Sequence, residues 1–296
     1  MANLGSLSEA AAAVEAGAEG VGLFRTEFLF LDARTAPTVA DQQKQYGELL
    51  SHFAGRKVVV RVLDAGADKP LAFLHPEHEA NPALGLRGLR ALRGERGILA
   101  DQLLALKNAQ DESVASGHPA ELWVMAPMVA DAGEARFFVD LGKQLGLKTV
   151  GVMAEVPSIA LVADQVLAIA DFVSVGTNDL TQYTLAADRL LATVAGYQDP
   201  WHPAVLRLVK LLGDAGAAAG KPVGICGEAA ADPELAVVLV GLGATSLSMT
   251  PAALAEVRAA LAGVTLAQAR SRAAAALAAE SAAGARAAAA AAAGAA

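Results

Sequence analysis

The chain has 296 residues, 54% of them hydrophobic, a formal net charge of −8 and a single cysteine. That length and apolar content support one large core, with or without a tail. The acidic balance argues against a nucleic-acid binder, which carries a basic face, and Cys226 alone excludes an internal disulfide, as fits a reducing compartment. The first ten residues, MANLGSLSEA, lack the basic region and apolar core of a signal peptide, and no uncharged Leu/Ile/Val/Phe-rich run reaches about 18 residues, the length of a membrane span. The composition predicts a soluble, cytoplasmic protein.

Apolar runs of strand length recur with room for a helix between each pair. A first strand is expected at Ala2–Leu4, followed by Gly20–Arg25, Val58–Asp64, Leu122–Met128, Thr149–Glu155, Phe172–Thr177, Pro222–Cys226 and Thr245–Met249. Helical patterns fill the intervals at 8–18, 91–109 and 157–170, the last with Pro157 in its first turn, where a missing N–H costs nothing. Thr250 before Pro251 reads as the N-cap of a helix ending at Gly263. Strands that alternate with helices pair in parallel, and eight of them predict a closed α/β (β/α)8 TIM barrel over residues 1–264. The segment 64–90, with three prolines, is too long for an ordinary βα connection and reads as functional. A first strand that starts at residue 2 reads as truncated, which predicts a domain cut from a longer polypeptide. The Ala-rich end, 265–296, has no stripe of large apolar residues and is expected to be a frayed helix or a disordered tail.

Four stretches end in reactive residues: GVGLFRTE (20–27), VVVRVLDAGADK (58–69), VGVMAEVPS (150–158) and FVSVGTNDLTQYTLAADR (172–189). In a β/α barrel, strand C-terminal ends collect the active site. Arg25 and Arg61 each follow a strand and suit bidentate phosphate contacts. Either alone also reads as a surface arginine paired with Glu27 or Asp64, but two on consecutive strand ends, with Lys69 close by, favour an anion site. Glu155 and Asp179 end successive strands, and two such carboxylates repel unless a cation or proton intervenes. Mg2+ takes one or two carboxylates with waters and substrate oxygens, whereas Asp179 also reads as a cap of the helix that follows it. Asn178 offers an amide donor to a substrate oxygen. Arg189 reads as reaching an anion or, more simply, as pairing with Asp188 or Asp199. Cys226 ends the seventh strand; a buried free cysteine is usually an inert small hydrophobe, while at a strand end its thiol suits proton donation to a carbanion. None of the five histidines is paired as a metal ligand, and surface or capping roles are expected for all of them.

Taken together, GLFRTEFLFLD, RVLDAGADK, NPALGLRGLR, GVMAEVPS, SVGTNDLTQYTLAADR and GICGEAA resemble, in order, the motifs of the C-terminal domain of the Enzyme I family. These are the phosphoenolpyruvate–protein phosphotransferases of the bacterial sugar phosphotransferase system. The resemblance covers residues 2–255, and SVGTNDLTQYTLAADR is its most specific part. It implies that Arg25 and Arg61 hold the phosphoryl group of phosphoenolpyruvate, with Lys69 and Arg87 adding positive charge. It also implies Glu155 and Asp179 as Mg2+ ligands, Asn178, Asp179 and Arg189 on the remaining substrate oxygens, and Cys226 as the acid that protonates the enolate. A homodimer is implied too, as is a histidine-containing phosphocarrier protein that docks on an N-terminal region. The resemblance leads us to expect that region, with its phosphorylatable histidine, to be missing from this chain, and none of the five histidines here is expected to replace it. The segment between the fourth and fifth strands is shorter than the family leads one to expect. Two other readings remain: a non-catalytic phosphoenolpyruvate-binding or dimerisation module, and a piece of a pyruvate phosphate dikinase or phosphoenolpyruvate synthase.

Overall fold

The computed structural model describes residues 1–31, 33, 35–65, 71, 74 and 79–294. Eight parallel strands follow one another in chain order around a single sheet. They are β1 (Ala2–Leu4), β2 (Gly20–Arg25), β3 (Lys57–Arg61), β4 (Glu121–Ala126), β5 (Val150–Ala154), β6 (Val173–Gly176), β7 (Val223–Cys226) and β8 (Ser246–Ser248). A parallel bridge between Ala2 and Met249 returns the last strand to the first, with Asn3 N–H donating to Met249 C=O at 2.7 Å and Met249 N–H to Met1 C=O at 3.1 Å. The three-residue β1 therefore suffices to close the ring, because β8 opposite it is equally short.

The apolar runs become strands because both faces are covered. One face packs against the helices and the other fills the barrel, where Leu23, Val59, Met125, Met153, Phe172 and Cys226 form their own buried cluster. Outside the ring lie α1 (Ala10–Glu15), α2 (Val39–His52), α3 (Arg96–Ala115), α4 (Ala132–Gln144), α5 (Ala163–Ile169), α6 (Thr177–Leu185), α7 (Pro203–Ala219), α8 (Pro233–Gly241) and α9 (Leu254–Ala262). Local chemistry sets several starts. Thr38 caps α2, Asp131 caps α4 and Asp232 caps α8 through side-chain oxygens that accept backbone N–H groups. His202 takes the capping role expected of it, its Nδ1 accepting the Ala204 N–H at 3.2 Å ahead of α7.

The expected helices are interrupted at points their apolar pattern does not mark. The 91–109 pattern splits into Leu89–Gly94 and α3, and the 157–170 pattern splits at Val162 into Pro157–Leu161 and α5. Thr250 makes no side-chain cap, since a 3-10 turn over Pro251–Ala253 leads into α9 instead. Lys69, His75 and His78 lie outside the described residues.

Where the sequence led us to expect a frayed helix or a disordered tail, residues 266–294 contain α10 (Leu266–Leu277) and α11 (Ala282–Gly294). Ala269, Ala273, Ala276, Ala285 and Ala289 are buried. A Thr265–Gln268 capping box starts α10, and Arg286 of α11 lies over the Trp201 ring, 5.2 Å from its centroid. The docking works through small residues rather than large ones. At Gly241 a Cβ would sit 2.1 Å from the carbonyl oxygen of Ala269, so α8 and α10 meet backbone to backbone. Gly241→Ala should force the two helices apart and lower unfolding stability by about 1–3 kcal/mol, a change that denaturant unfolding will read.

Candidate functional site

The strand C-terminal ends open into a cleft of about 360 Å³ lined by Arg25, Arg61, Asp64, Arg87, Glu155, Asn178, Asp179, Arg189, Cys226 and Glu228, with Leu23, Met153, Gly176, Thr177 and Gly227 between them. Every site residue expected from the sequence that lies among the described residues thus meets on one rim. A neighbouring cleft of about 440 Å³, between residues 80–84 and 182–190, shares Arg87 and Arg189 but is walled mostly by alanine, leucine and proline.

The rim is organised by a chain of alternating charge. Glu27 accepts from Arg61 at 2.7 Å, and Arg61 also pairs with Asp64 at 3.0 Å. Asp64 pairs with Arg87 at 2.9 Å, Arg87 with Asp179 at 3.1 Å, and Asp179 with Arg189 at 3.2 Å. All members except Arg189 are buried, so each charge has a counterpart where leaving one unpaired would be costly. Burial alone would lower the pKa of Arg61, yet Glu27, Asp64 and Glu155 outweigh it and hold the guanidinium charged. Arg87 behaves alike: burial acts downward, and Asp64 and Asp179 carry it above its ordinary value. Arg25 is exposed and makes no ion pair among the described residues.

The alternatives left open by the sequence resolve individually. Arg61 does pair with Glu27 and Asp64, and it lines the cleft nonetheless. Arg189 pairs with neither Asp188 nor Asp199 but folds back to Asp179. The turn that brings it there ends α6 with Ala186 in the left-handed region, at φ 51°, and pins the Arg189 N–H to Gln182 Oε1 at 2.9 Å. Asp179 lies inside α6 and bonds two arginines rather than capping the helix. Asn178 Oδ1 accepts the Glu228 N–H at 3.2 Å.

Glu155 stands at the end of β5, almost wholly buried. Met128, a non-glycine residue held at φ 58°, donates its N–H to Glu155 Oε1 at 2.7 Å. Gly176 leaves room for the other oxygen, since a Cβ there would lie 2.7 Å from Oε2. Burial, then the charges of Asp179 and Asp64, push the carboxyl up to about 8 against the pull of Arg61 and Arg87. Asp179 and Asp64 thus raise the cost of charging Glu155, a cost that a divalent cation would relieve. No group of three or more His, Cys, Asp or Glu among the described residues is placed to hold a metal. Two carboxylates with room for waters and ligand oxygens nevertheless fit the habit of Mg2+.

The Cys226 thiol is buried at the floor, donating to the Val175 carbonyl at 3.4 Å and accepting from Ser174 Oγ at 3.3 Å. Burial pushes its pKa up to about 11, with the Ser174 hydrogen bond acting the other way. It is therefore a protonated thiol rather than a nucleophilic thiolate.

Sequence reasoning missed Tyr183, whose hydroxyl lies 3.2 Å from Arg87 Nη1 and donates to the Ala83 carbonyl, tying Arg87 to the 80–84 segment. Its position one helical turn after Asp179 was the available signal.

The arrangement can grip a small polyanion between guanidinium groups, share it with a cation on two carboxylates, and deliver a proton from below. Residues 1–266 match the family described as "PEP-utilising enzyme, PEP-binding domain", and the chain belongs to that family. It is 56% identical over 270 residues to the phosphoenolpyruvate-protein phosphotransferase of Streptomyces coelicolor, covering 90% of this chain and 48% of that protein. The Haloferax volcanii protein of the same name is 43% identical over 281 residues, covering 91% of this chain and 49% of its own length. This chain spans about half the length of these relatives. A HpcH/HpaI aldolase/citrate lyase family protein from Burkholderia cenocepacia shares the fold at 18% identity, with a TM-score of 0.51 over 88% of this chain and 91% of its own.

The state of Glu155 leaves a stability signature. Its ordinary pKa is 4.5 and its native value about 8, so between these limits the native state binds more protons than the unfolded one. Stability of the metal-free protein should fall as pH rises through that window, and Glu155→Gln should flatten the slope. Thermal melts across the window check this, and an unchanged slope in Glu155→Gln would assign it to another group.

Proposed function

We propose that this chain is the substrate half of a phosphoenolpyruvate–protein phosphotransferase. It binds phosphoenolpyruvate with Mg2+ and supports phosphoryl transfer to a histidine carried by another region of the protein, releasing pyruvate. The observation that carries this reading is the convergence of Arg25, Arg61, Arg87 and Arg189 with Glu155, Asp179 and Cys226 in one cleft of a PEP-binding-domain barrel. The names of the relatives support a protein acceptor over a dikinase or synthase.

In this reading Arg25 and Arg61 take the phosphoryl oxygens, and the masked-charge neighbour Arg87 steadies them from behind. Lys69 adds a further cation. Asn178, the Asp179 backbone and Arg189 take the remaining substrate oxygens. Mg2+, when bound on Glu155 and Asp179, would supply electrostatic stabilisation of the charge that develops on the enolate oxygen. Transfer breaks the bond between phosphorus and the enol oxygen, forms a bond to the incoming histidine nitrogen, and leaves the electron pair on the enolate. Arg61, Arg87 and Arg189 are fixed by their carboxylates before substrate arrives, so little reorganisation of these groups accompanies the change. Cys226 then gives its proton to C3, converting the enolate to pyruvate. A thiol suits this step because it stays protonated at neutral pH yet is a stronger acid than the methyl group it creates. The resulting thiolate, buried beside Ser174, takes its proton back from solvent.

The reading also includes a homodimer, a histidine-containing phosphocarrier protein as the next acceptor, a cytoplasmic location and a part in sugar uptake. Exposed Leu84, Leu86, Leu190, Leu191 and Tyr197 beside the cleft offer apolar surface for protein contacts. Among the described residues no single helix is long and apolar enough to cross a membrane.

Reconstitution tests the assignment. The chain alone should not phosphorylate the carrier, whereas adding a separately expressed N-terminal half should release pyruvate. In that system Cys226→Ala should keep phosphoenolpyruvate affinity and slow pyruvate formation by about a hundred- to ten-thousandfold. Pyruvate formation at the full rate would place the acid elsewhere, and carrier phosphorylation by the chain alone would remove the need for a second half.

A further inference from the structure

Behind the rim, between the barrel wall and its helices, runs a buried polar chain whose members line neither cleft. Gln102 of α3 is fully buried. Its Oε1 accepts the Leu63 N–H at 2.9 Å, and its Nε2 donates to Thr26 Oγ1 at 3.1 Å and to the Tyr46 hydroxyl at 3.0 Å. Thr26 in turn donates to the Arg61 carbonyl at 3.0 Å, and Tyr46 donates to Gln42 Oε1 at 3.1 Å. Gln42 Nε2 ends the run on the Pro37 carbonyl at 3.0 Å. The carboxamide has two donors and an acceptor engaged, and each hydroxyl that receives a hydrogen bond passes its own proton onward. The protons therefore have a single order, and the amide cannot flip without leaving the Leu63 N–H unpaired.

What this chain holds is specific. The ladder between β2 and β3 ends at the paired residues Arg25 and Arg61. Beyond that pair no further backbone rung joins the two strands among the described residues. Glu27 Oε1 accepts the Asp64 N–H across the gap at 3.2 Å, and Gln102 adds a second link, reaching Thr26 on the exit of β2 and Leu63 on the exit of β3. Thr26 lies between Arg25 and Glu27, and Leu63 lies between Arg61 and Asp64, so this one buried side chain, with the Thr26 bond to the Arg61 carbonyl, ties together the segments that carry two cleft arginines and the carboxylates that aim Arg61. We propose that Gln102 and Thr26 are positioning residues that fix the spacing of Arg25 and Arg61 for the phosphoryl group. The proposal rests on the reading of the cleft as a phosphoenolpyruvate site.

A network that only stabilised the core would change the melting temperature and leave the affinity of the folded protein alone. A positioning network changes both. The test titrates the full chain with phosphoenolpyruvate and Mg2+ by calorimetry, with thermal melts in the same buffer, for wild type, Thr26→Val, Thr26→Ser and Gln102→Met. Thr26→Val is close to isosteric and removes only the hydroxyl, so it remains testable if Gln102→Met fails to fold. Thr26→Val is expected to weaken binding about tenfold, while Thr26→Ser, which keeps the hydroxyl, stays within about twofold of wild type. A lowered melting temperature with unchanged affinity in Thr26→Val overturns the proposal and leaves the site reading intact. A folded wild type that does not bind phosphoenolpyruvate overturns the site reading and the proposal together.

Discussion

The alternating charge chain Glu27–Arg61–Asp64–Arg87–Asp179–Arg189 is the constraint on which the rest of the site depends. Guanidinium groups on long, flexible side chains would otherwise spread into solvent or repel one another, and would lose conformational freedom whenever they gripped a ligand. Here Arg61 and Arg87 are each clamped between two carboxylates from different βα segments and Arg189 is tied to Asp179, so this part of the rim is set before any ligand arrives. Burying these charges costs solvation free energy that pairing must offset. The interior of the barrel helps by packing firmly beneath them: Met153 Sδ, in the inner apolar cluster, lies 3.7 Å from Arg61 Nη1.

That arrangement has a consequence for binding. Arg61, Arg87 and Arg189 are already paired with Glu27, Asp64 and Asp179, so most of the guanidinium charge is spoken for before a polyanion enters. Of the four cleft arginines, only Arg25 makes no ion pair among the described residues. A compact ligand with several negative charges then needs a further cation, and the raised pKa of Glu155, caused by burial and its carboxylate neighbours, marks where one relieves most repulsion. In the proposed reading, metal dependence follows from the charge balance of the cleft and not from the presence of two carboxylates alone.

Much of the fold was legible in the sequence because strand ends carry their own punctuation. Runs such as VVVR and VGVMAE switch within one residue from apolar to charged, and that switch marks both the end of a strand and the rim of the barrel. The break at Val162 and the 3-10 turn after Thr250 carry no such mark, since their sequences remain compatible with continuous helix. The docking of the C-terminal helices escaped for a related reason. A search for large apolar stripes does not detect docking by alanine, which depends on the close approach that Gly241 permits. In the site, Arg25, Arg61, Glu155, Asp179 and Cys226 could be named from strand position, and Arg87 only from the family resemblance. Glu27 and Asp64 were legible as possible partners of Arg61, but its division between both, and the turn of Arg189 back to Asp179 through the left-handed Ala186, are products of loop geometry. The Gln102 link is further still from the motifs, on a helix whose sequence reads as ordinary amphipathic surface and core.

The most direct measurement is a calorimetric titration of the folded chain with phosphoenolpyruvate in the presence and absence of Mg2+. The account predicts saturable binding with Mg2+ and little or none without it, because three of the four cleft arginines are already paired with carboxylates. Equal affinity in both conditions would contradict the charge balance derived for the rim, and absence of binding in both would contradict the assignment of the cleft itself.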